Sequence, residues 1–314
     1  MPQELAPGTW PVKVKPSGDV AENVTRMVRR EYDRILRFEP GSRSGEDPEN
    51  LHKMRVSVRR MRAATRVFRP MLDRAAMGDL RRDLRWLGDV LGQVRDRDTA
   101  IDALEKYKQE ALPEDIDWIQ ALIAETGNAR QEYRRQLLEA LDSDRCVRFK
   151  QETETLLAAG LALKPGRDDP KLRDVLPGMI RKAWKSVQRT DRDIAGQGSE
   201  RLHRLRLDCK NLRYLCEFVR PILRDRFDFL VHTATRVQDT VGRMRDCERD
   251  MRFFVTSDQE SELPVKRRLH RYFQSGKETA LAEFLEIWKR ITADEFGLWV
   301  RYRLRFLERQ KEDQ

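Results

Sequence analysis

The sequence predicts an all-α fold built from two tandem, sequence-related helical bundles with internal pseudo-twofold symmetry. Apolar residues recur at spacings of three and four along nearly the whole chain, which is the period of an amphipathic helix. No stretch alternates apolar and polar residues over the length of a strand. One long segment occurs twice, once in each half of the chain, and this repetition indicates two related bundles.

The repeated segment reads LHKMRVSVRRMRAATRVFRPML at 51–72 and LHRLRLDCKNLRYLCEFVRPIL at 202–223. The two copies align without a gap, so that His52 corresponds to His203 at an offset of 203 − 52 = 151 residues. Each copy is predicted to form one helix, and we call these the motif helices.

A second signature, Leu-Gly-x-x-Arg-Asp, follows the first motif helix, and it recurs after the second with Val241 in place of the leucine. Gly92 of the first copy corresponds to Gly242 of the second at an offset of 242 − 92 = 150 residues. We interpret the signature as architectural, because glycine favours the left-handed end of a helix and Asp96 or Asp246 can cap the next one.

Prolines and glycines divide the chain. Residues 163–170, LKPGRDDP, combine two prolines with a glycine, and the repeat restarts after them. The expected organisation is an irregular arm over 1–18, a first half over 19–163, a linker over 164–170 and a second half over 171–314.

Each half is expected to contain a similar series of helices. In the first half, residues 39–48 carry two prolines and two glycines and are predicted to be a loop. The helices expected there span 19–38, 49–72, 78–93, a run from 95 to about 110, 115–140 and 144–161. Those expected in the second half span 171–194, 200–223, a segment ending at 241–242, 263–291 and 292–311.

Basic residues form a stripe along each motif helix. At about 100° per residue, the stripe lies directly beside the apolar face. Cations spaced i,i+4 repel each other by a few tenths of a kcal/mol per pair, so a bound anion is the simplest compensation. The first stripe contains His52, Arg55, Arg59, Arg62, Arg66 and Arg69, and the second contains His203, Arg206, Lys210 and Arg213. Glu217 stands where the first copy has Arg66, and it is expected to pair with Arg213 or Arg220.

The helix before each motif helix is expected to extend the basic face. Its cations have the same i,i+4,i+8 spacing in both halves, so each half would present two basic ridges that line one shared groove. These residues are Arg26, Arg30 and Arg34 in the first half and Arg181, Lys185 and Arg189 in the second.

The segments LHxxRhxxRRhR and LHxLRxxxKxLRY resemble the CHAD family of helical domains, and the resemblance extends from about residue 20 to the end of the chain. It implies an all-α fold of two related bundles, with inorganic polyphosphate bound by a basic surface between them. The residues expected to bind it are His52, Arg55, Arg59, Arg62, Arg66, His203, Arg206, Lys210, Arg213, Arg26, Arg30, Arg181, Lys185 and Arg189.

A net charge of +10 and an excess of arginine over lysine agree with a polyanion partner. Nucleic acid is the main alternative to polyphosphate. Proteins that bind single strands usually interleave aromatic stacking platforms with cations, and the first stripe has none. Tyr214 and Phe218 accompany the second stripe and are interpreted as core or groove edge.

The two repeated histidines allow three interpretations: a protonated phosphate ligand, a phospho-acceptor or metal ligand, and a structural group. No acidic residue repeats three or four positions from either His52 or His203, so the metal interpretation is weak. The other two stay open.

An enzyme is not expected. The chain lacks a P-loop, HExxH and GxSxG, and the string at Glu152–Leu156 lacks the lysine of the ExExK strand found in triphosphate-tunnel domains that often accompany CHAD domains. We expect no cofactor and no metal. A metal-dependent enzyme acting on polyphosphate or nucleotides is the least favoured alternative.

The four cysteines show no metal-ligand spacing, which favours a reduced intracellular protein. The first residues lack the apolar core of a signal peptide, and no apolar run is long enough to cross a membrane. A cytoplasmic location is therefore expected, with association with polyphosphate granules as a further hypothesis. The sequence leaves the oligomeric state open.

Overall fold

The structure is a computed structural model, and it describes residues 14–166, 168–190, 194, 198–254 and 263–312. In these ranges the regular structure is helical, and the only extended pairings are two isolated bridges, Asp19 with Lys171 and Leu72 with Leu163. The predicted all-α class is confirmed. The arm over 1–13 and parts of the linker and of the break before the second motif helix lie outside the described residues.

The chain forms a series of helices joined by short connections, with a single 3-10 turn at Pro113–Asp115. The helices are α1 (Val20–Ser44), α2 (Pro48–Val67), α3 (Gly78–Lys108), α4 (Ile116–Asp142), α5 (Asp144–Ala159), α6 (Leu172–Gln188), α7 (Gly198–Phe218), α8 (Arg220–Leu223), α9 (Asp228–Phe254), α10 (Pro264–Ile291) and α11 (Asp294–Glu312).

Neighbouring helices pack in the same order in both parts of the chain. In the first part α1 packs on α2, α2 on α3 and α3 on α4, and in the second α6 packs on α7, α7 on α9 and α9 on α10. The motif helices α2 and α7 also pack against each other. The pseudo-twofold relation and the domain boundaries stay predictions.

Two hydrophobic clusters hold the helices together. The larger contains the apolar faces of both motif helices, such as Met61 and Leu212. The smaller one, which includes Leu104, Tyr107, Phe254 and Phe273, joins the far ends of α3, α4, α9 and α10. The two parts of the chain therefore meet both at the motif helices and at the ends of the long helices.

The loop predicted over 39–48 is wrong, because α1 continues through Pro40 to Ser44. Tertiary contacts hold this turn in helical form: buried Glu39 accepts from Lys150 of α5 at 2.7 Å, and Arg43 pairs with Asp142 at 2.6 Å. The helix ends instead at Gly45, whose φ of 70° is the left-handed conformation typical of a C-terminal glycine.

The helix boundary predicted at the Leu-Gly-x-x-Arg-Asp signature is also wrong. α3 is continuous through Gly92 and Asp96, and α9 is continuous through Gly242 and Asp246. Glycine inside a helix costs only about 1 kcal/mol relative to alanine, which the packing of a long helix can offset. The motif helices, in contrast, end slightly earlier than predicted, before Pro70 in the first copy and at Phe218 in the second.

Candidate functional site

The basic stripes of α2 and α7 come together where these two helices cross. We define the central basic cluster by the nine stripe residues that were predicted to bind polyphosphate. Its members are His52, Arg55, Arg59, Arg62, Arg66, His203, Arg206, Lys210 and Arg213. The long helices α3 and α9 pack beside α2 and α7 and complete the surroundings of the cluster.

Lys210 is the point at which the two stripes meet most closely. Partial burial, together with the nearby charges of Arg59, Arg206, Arg66 and Arg213, lowers the pKa of Lys210 to about 7. Two of these arginines belong to α2 and two to α7. Arg59 is the residue that corresponds to Lys210 in the sequence repeat, so the two equivalent positions lie near each other.

The guanidinium of Arg206 is only partly paired with other groups of the protein. Its Nε is buried and has no hydrogen-bond partner among the described residues. Burial and the neighbouring Arg245 lower its pKa, and Asp246 raises it. Arg59 of the other motif helix also lowers this pKa, which is a second electrostatic link across the crossing.

Each signature glycine lies beneath an arginine of the neighbouring motif helix. A Cβ placed on Gly92 would lie 3.8 Å from both Nε and a terminal nitrogen of Arg55, and one on Gly242 would lie 3.8 Å from the same atoms of Arg206. A side chain larger than methyl would therefore displace the guanidinium. The glycines of the signature leave room for Arg55 and Arg206 of the cluster, and the signature does not end a helix.

The acidic residue of the signature accompanies the same arginines. Asp96 pairs with Arg55 at 3.5 Å, and Asp246 pairs with Arg249 at 3.3 Å while raising the pKa of Arg206. Sequence reasoning gave this signature an architectural role. Its repetition at nearly the same offset as the motif was the available signal that it belongs to the site.

Both repeated histidines border the cluster. Burial lowers the pKa of His52, as do Arg95, Arg59 and Arg55, although Glu49 raises it. The pKa of His203 is lowered by burial and by Arg245, whose guanidinium contacts its Nδ1. An accepting Nδ1 fits a neutral imidazole in the absence of a bound anion. Whether the histidines are ligands or structural groups stays open.

Arg213 is engaged within the protein. Its Nε donates to Gln238 at 3.1 Å, and a terminal nitrogen donates to Glu217 at 2.8 Å. The pairing of Glu217 with Arg213 is thereby confirmed. Arg220, the other partner considered for it, pairs with Asp228 at 2.8 Å.

Glu217 also takes part in an ion-pair chain that the sequence did not reveal. Its other oxygen accepts from buried Arg60 at 3.0 Å, and Arg60 donates to buried Glu31 at 3.0 Å. This chain joins α1, α2 and α7 in the interior. It connects the two motif helices and meets the central basic cluster where Glu217 also pairs with Arg213.

The flanking residues predicted to extend the site are placed differently. Arg26 pairs with Glu22, and Arg181 pairs with Glu308 of α11. Arg30 lies near Arg60, which lowers its pKa after the larger effect of burial. Arg34 pairs with Glu31 at 3.7 Å and donates to Ser57 at 3.3 Å. Lys185 and Arg189 are exposed on and just after α6, and Arg189 lies near Asp208. These interactions do not reach the central basic cluster.

The sequence model of the CHAD domain matches residues 26–254, which is most of the chain. The chain belongs to the CHAD family. The match contains both motif helices and both copies of the Leu-Gly-x-x-Arg-Asp signature.

Solved structures share the fold of this CHAD protein. PptA from Streptomyces chartreusis matches with a TM-score of 0.67 and 17% identity, covering 87% of this chain and 100% of that one. The CHAD domain from the plant Ricinus communis matches with a TM-score of 0.64 and 21% identity, covering 95% of each chain.

Curated relatives are longer than this CHAD protein. The uncharacterized protein Rv2226 of Mycobacterium tuberculosis (strain H37Rv) is 24% identical over 283 residues, covering 84% of this chain and 54% of the relative. The uncharacterized protein MT2285 of strain CDC 1551 matches to the same extent. The chain thus spans about half the length of these relatives.

The described helices and acidic, histidine and cysteine side chains were also compared with the requirements of a membrane span and of a metal site. None of their helices combines the length and apolarity needed to cross a membrane. No group of three or more His, Cys, Asp or Glu side chains among them is arranged to hold a metal ion.

Proposed function

We propose that this CHAD protein binds inorganic polyphosphate through the central basic cluster. The observation that carries the proposal is the environment of Lys210. Partial burial lowers its pKa to about 7, together with the charges of four arginines drawn from both motif helices. The repulsion among these cations is compensated when an anion with several charges binds among them.

Family membership supports the same ligand, because polyphosphate binding is attributed to CHAD domains as a family. The chemistry fits as well. Polyphosphate is a row of closely spaced anions without bases, and arginine offers a planar fork of donors that suits phosphate oxygens. Binding would release counterions and would weaken steeply as salt rises.

Nucleic acid is less favoured because the aromatic residues near the cluster are buried. Tyr214 is 1% exposed and Phe218 is 0% exposed. Arg213 lies over the ring of Tyr214 at 4.6 Å, and Arg60 lies over that of Phe218 at 5.3 Å. These rings therefore support the cations and do not offer a face on which a base could stack.

The proposal is tested by titration calorimetry with long-chain polyphosphate at two salt concentrations. We expect Arg59→Gln/Lys210→Gln to weaken binding by at least tenfold at the lower salt. The control is Arg301→Gln/Arg305→Gln, which removes two exposed arginines from α11 and should leave the affinity unchanged. Absence of binding by the wild type, or equal loss in both variants, would refute the proposal.

Two further measurements separate the alternatives. Single-stranded RNA at equal phosphate concentration should compete weakly, and strong competition would favour nucleic acid as the ligand. Release of orthophosphate from polyphosphate after addition of Mg²⁺ or Mn²⁺ would instead indicate an enzyme. We expect no release above that of the Arg59→Gln/Lys210→Gln variant.

A further inference from the structure

A second group of arginines lies at one end of the central basic cluster. We call it the outer arginine cluster; it consists of Arg69 and Arg74, which follow α2, and Arg81 and Arg85 in the first turns of α3. Arg81 is half-buried and the other three are exposed. The charges of Arg69, Arg85 and Arg74 all lower the pKa of Arg81, after the effect of burial, so the four side chains lie close together.

The geometry of α2 and α3 makes the outer cluster continuous with the central one. These helices run antiparallel: Arg55 lies over Gly92 and pairs with Asp96, and one turn nearer the start of α3 Arg62 lies over Gly88, where a Cβ would be 3.0 Å from its terminal nitrogen. Continuing in the same direction, the next α3 residues on this face are Arg85 and then Arg81, because the spacing of three or four residues keeps them in one stripe. They face the part of the chain that carries Arg66 and Arg69.

The outer arginines are not neutralised within the described part of the chain. Their side chains form no ion pair with a described carboxylate, in contrast to Arg55 in the central cluster. The acidic residues at the start of α3 are engaged elsewhere. Asp79 pairs with Arg82 at 2.8 Å, and Asp83 pairs with Arg145 of α5 at 2.7 Å.

The corresponding end of the second half is different. At the offset of 150, Val231 and Thr235 replace Arg81 and Arg85. Glu217 stands where the first copy has Arg66, and Arg220 is paired with Asp228. The two arginines of α3 therefore have no counterpart on α9, whereas Arg224 stands where the first half has Arg74.

We infer that the outer arginine cluster is an additional polyphosphate subsite, over which a chain held in the central cluster leaves the protein on the side of the first half. This inference rests on the proposed function. From Arg81 to Asp96 the face of α3 measures about 22 Å at 1.5 Å per residue, so a short phosphate oligomer bound around Lys210 covers only part of this face, whereas a long chain covers both clusters. Long chains gain the outer contacts and bind more tightly.

The test compares tripolyphosphate with long-chain polyphosphate by calorimetry, using the wild type and Arg81→Gln/Arg85→Gln. We expect the variant to bind tripolyphosphate normally and to lose at least fivefold in affinity for the long chain. The plot of log K against log salt has a negative slope. For the long chain its magnitude should decrease by about 1.5 in the variant, since two phosphate contacts are lost and each contributes roughly 0.7 to 0.9. The control is Arg301→Gln/Arg305→Gln, which removes two charges at the same spacing from α11. It should leave the affinity for both ligands unchanged.

The outcomes distinguish this inference from the proposed function. Long-chain binding that is unchanged in Arg81→Gln/Arg85→Gln but lost in Arg59→Gln/Lys210→Gln would overturn the outer subsite and leave the central site intact. An equal loss for both ligands would also overturn it, because the outer arginines would then act on the central cluster. A wild type that binds neither ligand would refute the proposed function itself.

Discussion

At the scale of single residues, Lys210 is a group whose charge state at neutral pH depends on its surroundings. A lysine in water has a pKa near 10.4, and partial burial among four arginines lowers that of Lys210 to about 7. It is therefore about half neutral at pH 7 when no anion is present. A bound polyphosphate would favour the charged form and return the pKa toward its ordinary value.

We expect the affinity for polyphosphate to fall as the pH rises above 7. Between about pH 7 and the higher pKa of the complex, binding must take up a proton on Lys210, so log K should decrease by up to one unit per pH unit. Calorimetry from pH 6 to 9, in two buffers with different ionisation enthalpies, would measure both the affinity and the proton uptake.

Lys210→Arg is the matched control for this prediction. Arginine keeps its charge throughout the range, so the decrease between pH 7 and 9 should largely disappear. Burial and nearby cations place the pKa values of His52 and His203 below their ordinary value, and any contribution of these histidines to the pH profile would remain in Lys210→Arg. An unchanged pH profile in Lys210→Arg would exclude Lys210 as the titrating group.

The ion-pair chain beneath the cluster also depends on single residues. Arg60 is 8% exposed and lies between Glu31 at 2% and Glu217 at 5%. Arg60→Ala would leave two buried carboxylates without this partner, and we expect it to lower the free energy of unfolding by about 3–5 kcal/mol. Urea denaturation monitored by circular dichroism would measure the loss.

The control for Arg60 replaces the whole group. In the triple variant Glu31→Gln/Arg60→Met/Glu217→Gln no buried charge of this chain remains, so most of the lost stability should return. If Arg60→Ala unfolds with the wild-type free energy, the ion pairs contribute nothing and the motif helices are joined by apolar contacts alone.

At the scale of helices, the apolar periodicity predicted the elements well, whereas prolines and glycines predicted the helix ends poorly. The apolar spacing of three and four is present in the long helices, because it reflects which face packs in the core. Pro40 and Gly92 were interpreted as breaks, yet both lie inside helices. In each case a partner distant in sequence packs against the supposed break: Lys150 pairs with Glu39 beside Pro40, and Arg55 lies over Gly92.

The start of α1 shows the same dependence on distant partners. Asp19 at its N-cap makes no capping hydrogen bond; Asp169, from the linker, accepts instead from the backbone N–H of Val20 at 2.9 Å and from that of Ala21 at 3.3 Å. Asp169→Ala should destabilise the protein by about 1 kcal/mol, the usual cost of losing a cap. Urea denaturation would measure it, with exposed Asp168→Ala as the control that should have no effect.

At the scale of the whole molecule, the sequence predicted the composition of the basic stripes but not their arrangement. The nine central residues were all named from one repeated pattern, because a helix places such spacings on one face. The sequence could not show that α2 crosses α7, nor that the engagement of Arg213 with Gln238 and Glu217 leaves it less available than Arg59. Long-range packing determines these features, and a single sequence does not encode them as a local pattern.

A site formed at the crossing of two homologous helices makes a specific prediction about stoichiometry. If both stripes form one site, a phosphate oligomer too short to bridge separate sites should bind once per protein. Arg55→Gln/Arg59→Gln in α2 and Arg206→Gln/Lys210→Gln in α7 should each weaken that single site by a similar factor, at least tenfold at low salt, because each variant removes two cations from the same surroundings. Titration calorimetry with tripolyphosphate measures the number of sites and the affinity together.

Independent sites on the two halves would give a different result. The wild type would then bind two oligomers, and each double variant would keep one site of undiminished affinity. The electrostatic influence of Arg59 on both Arg206 and Lys210 argues for a single site, since charges in separate sites at opposite surfaces would be screened from each other by solvent. A stoichiometry of two that falls to one in either variant would show that the crossing of α2 and α7 is only structural.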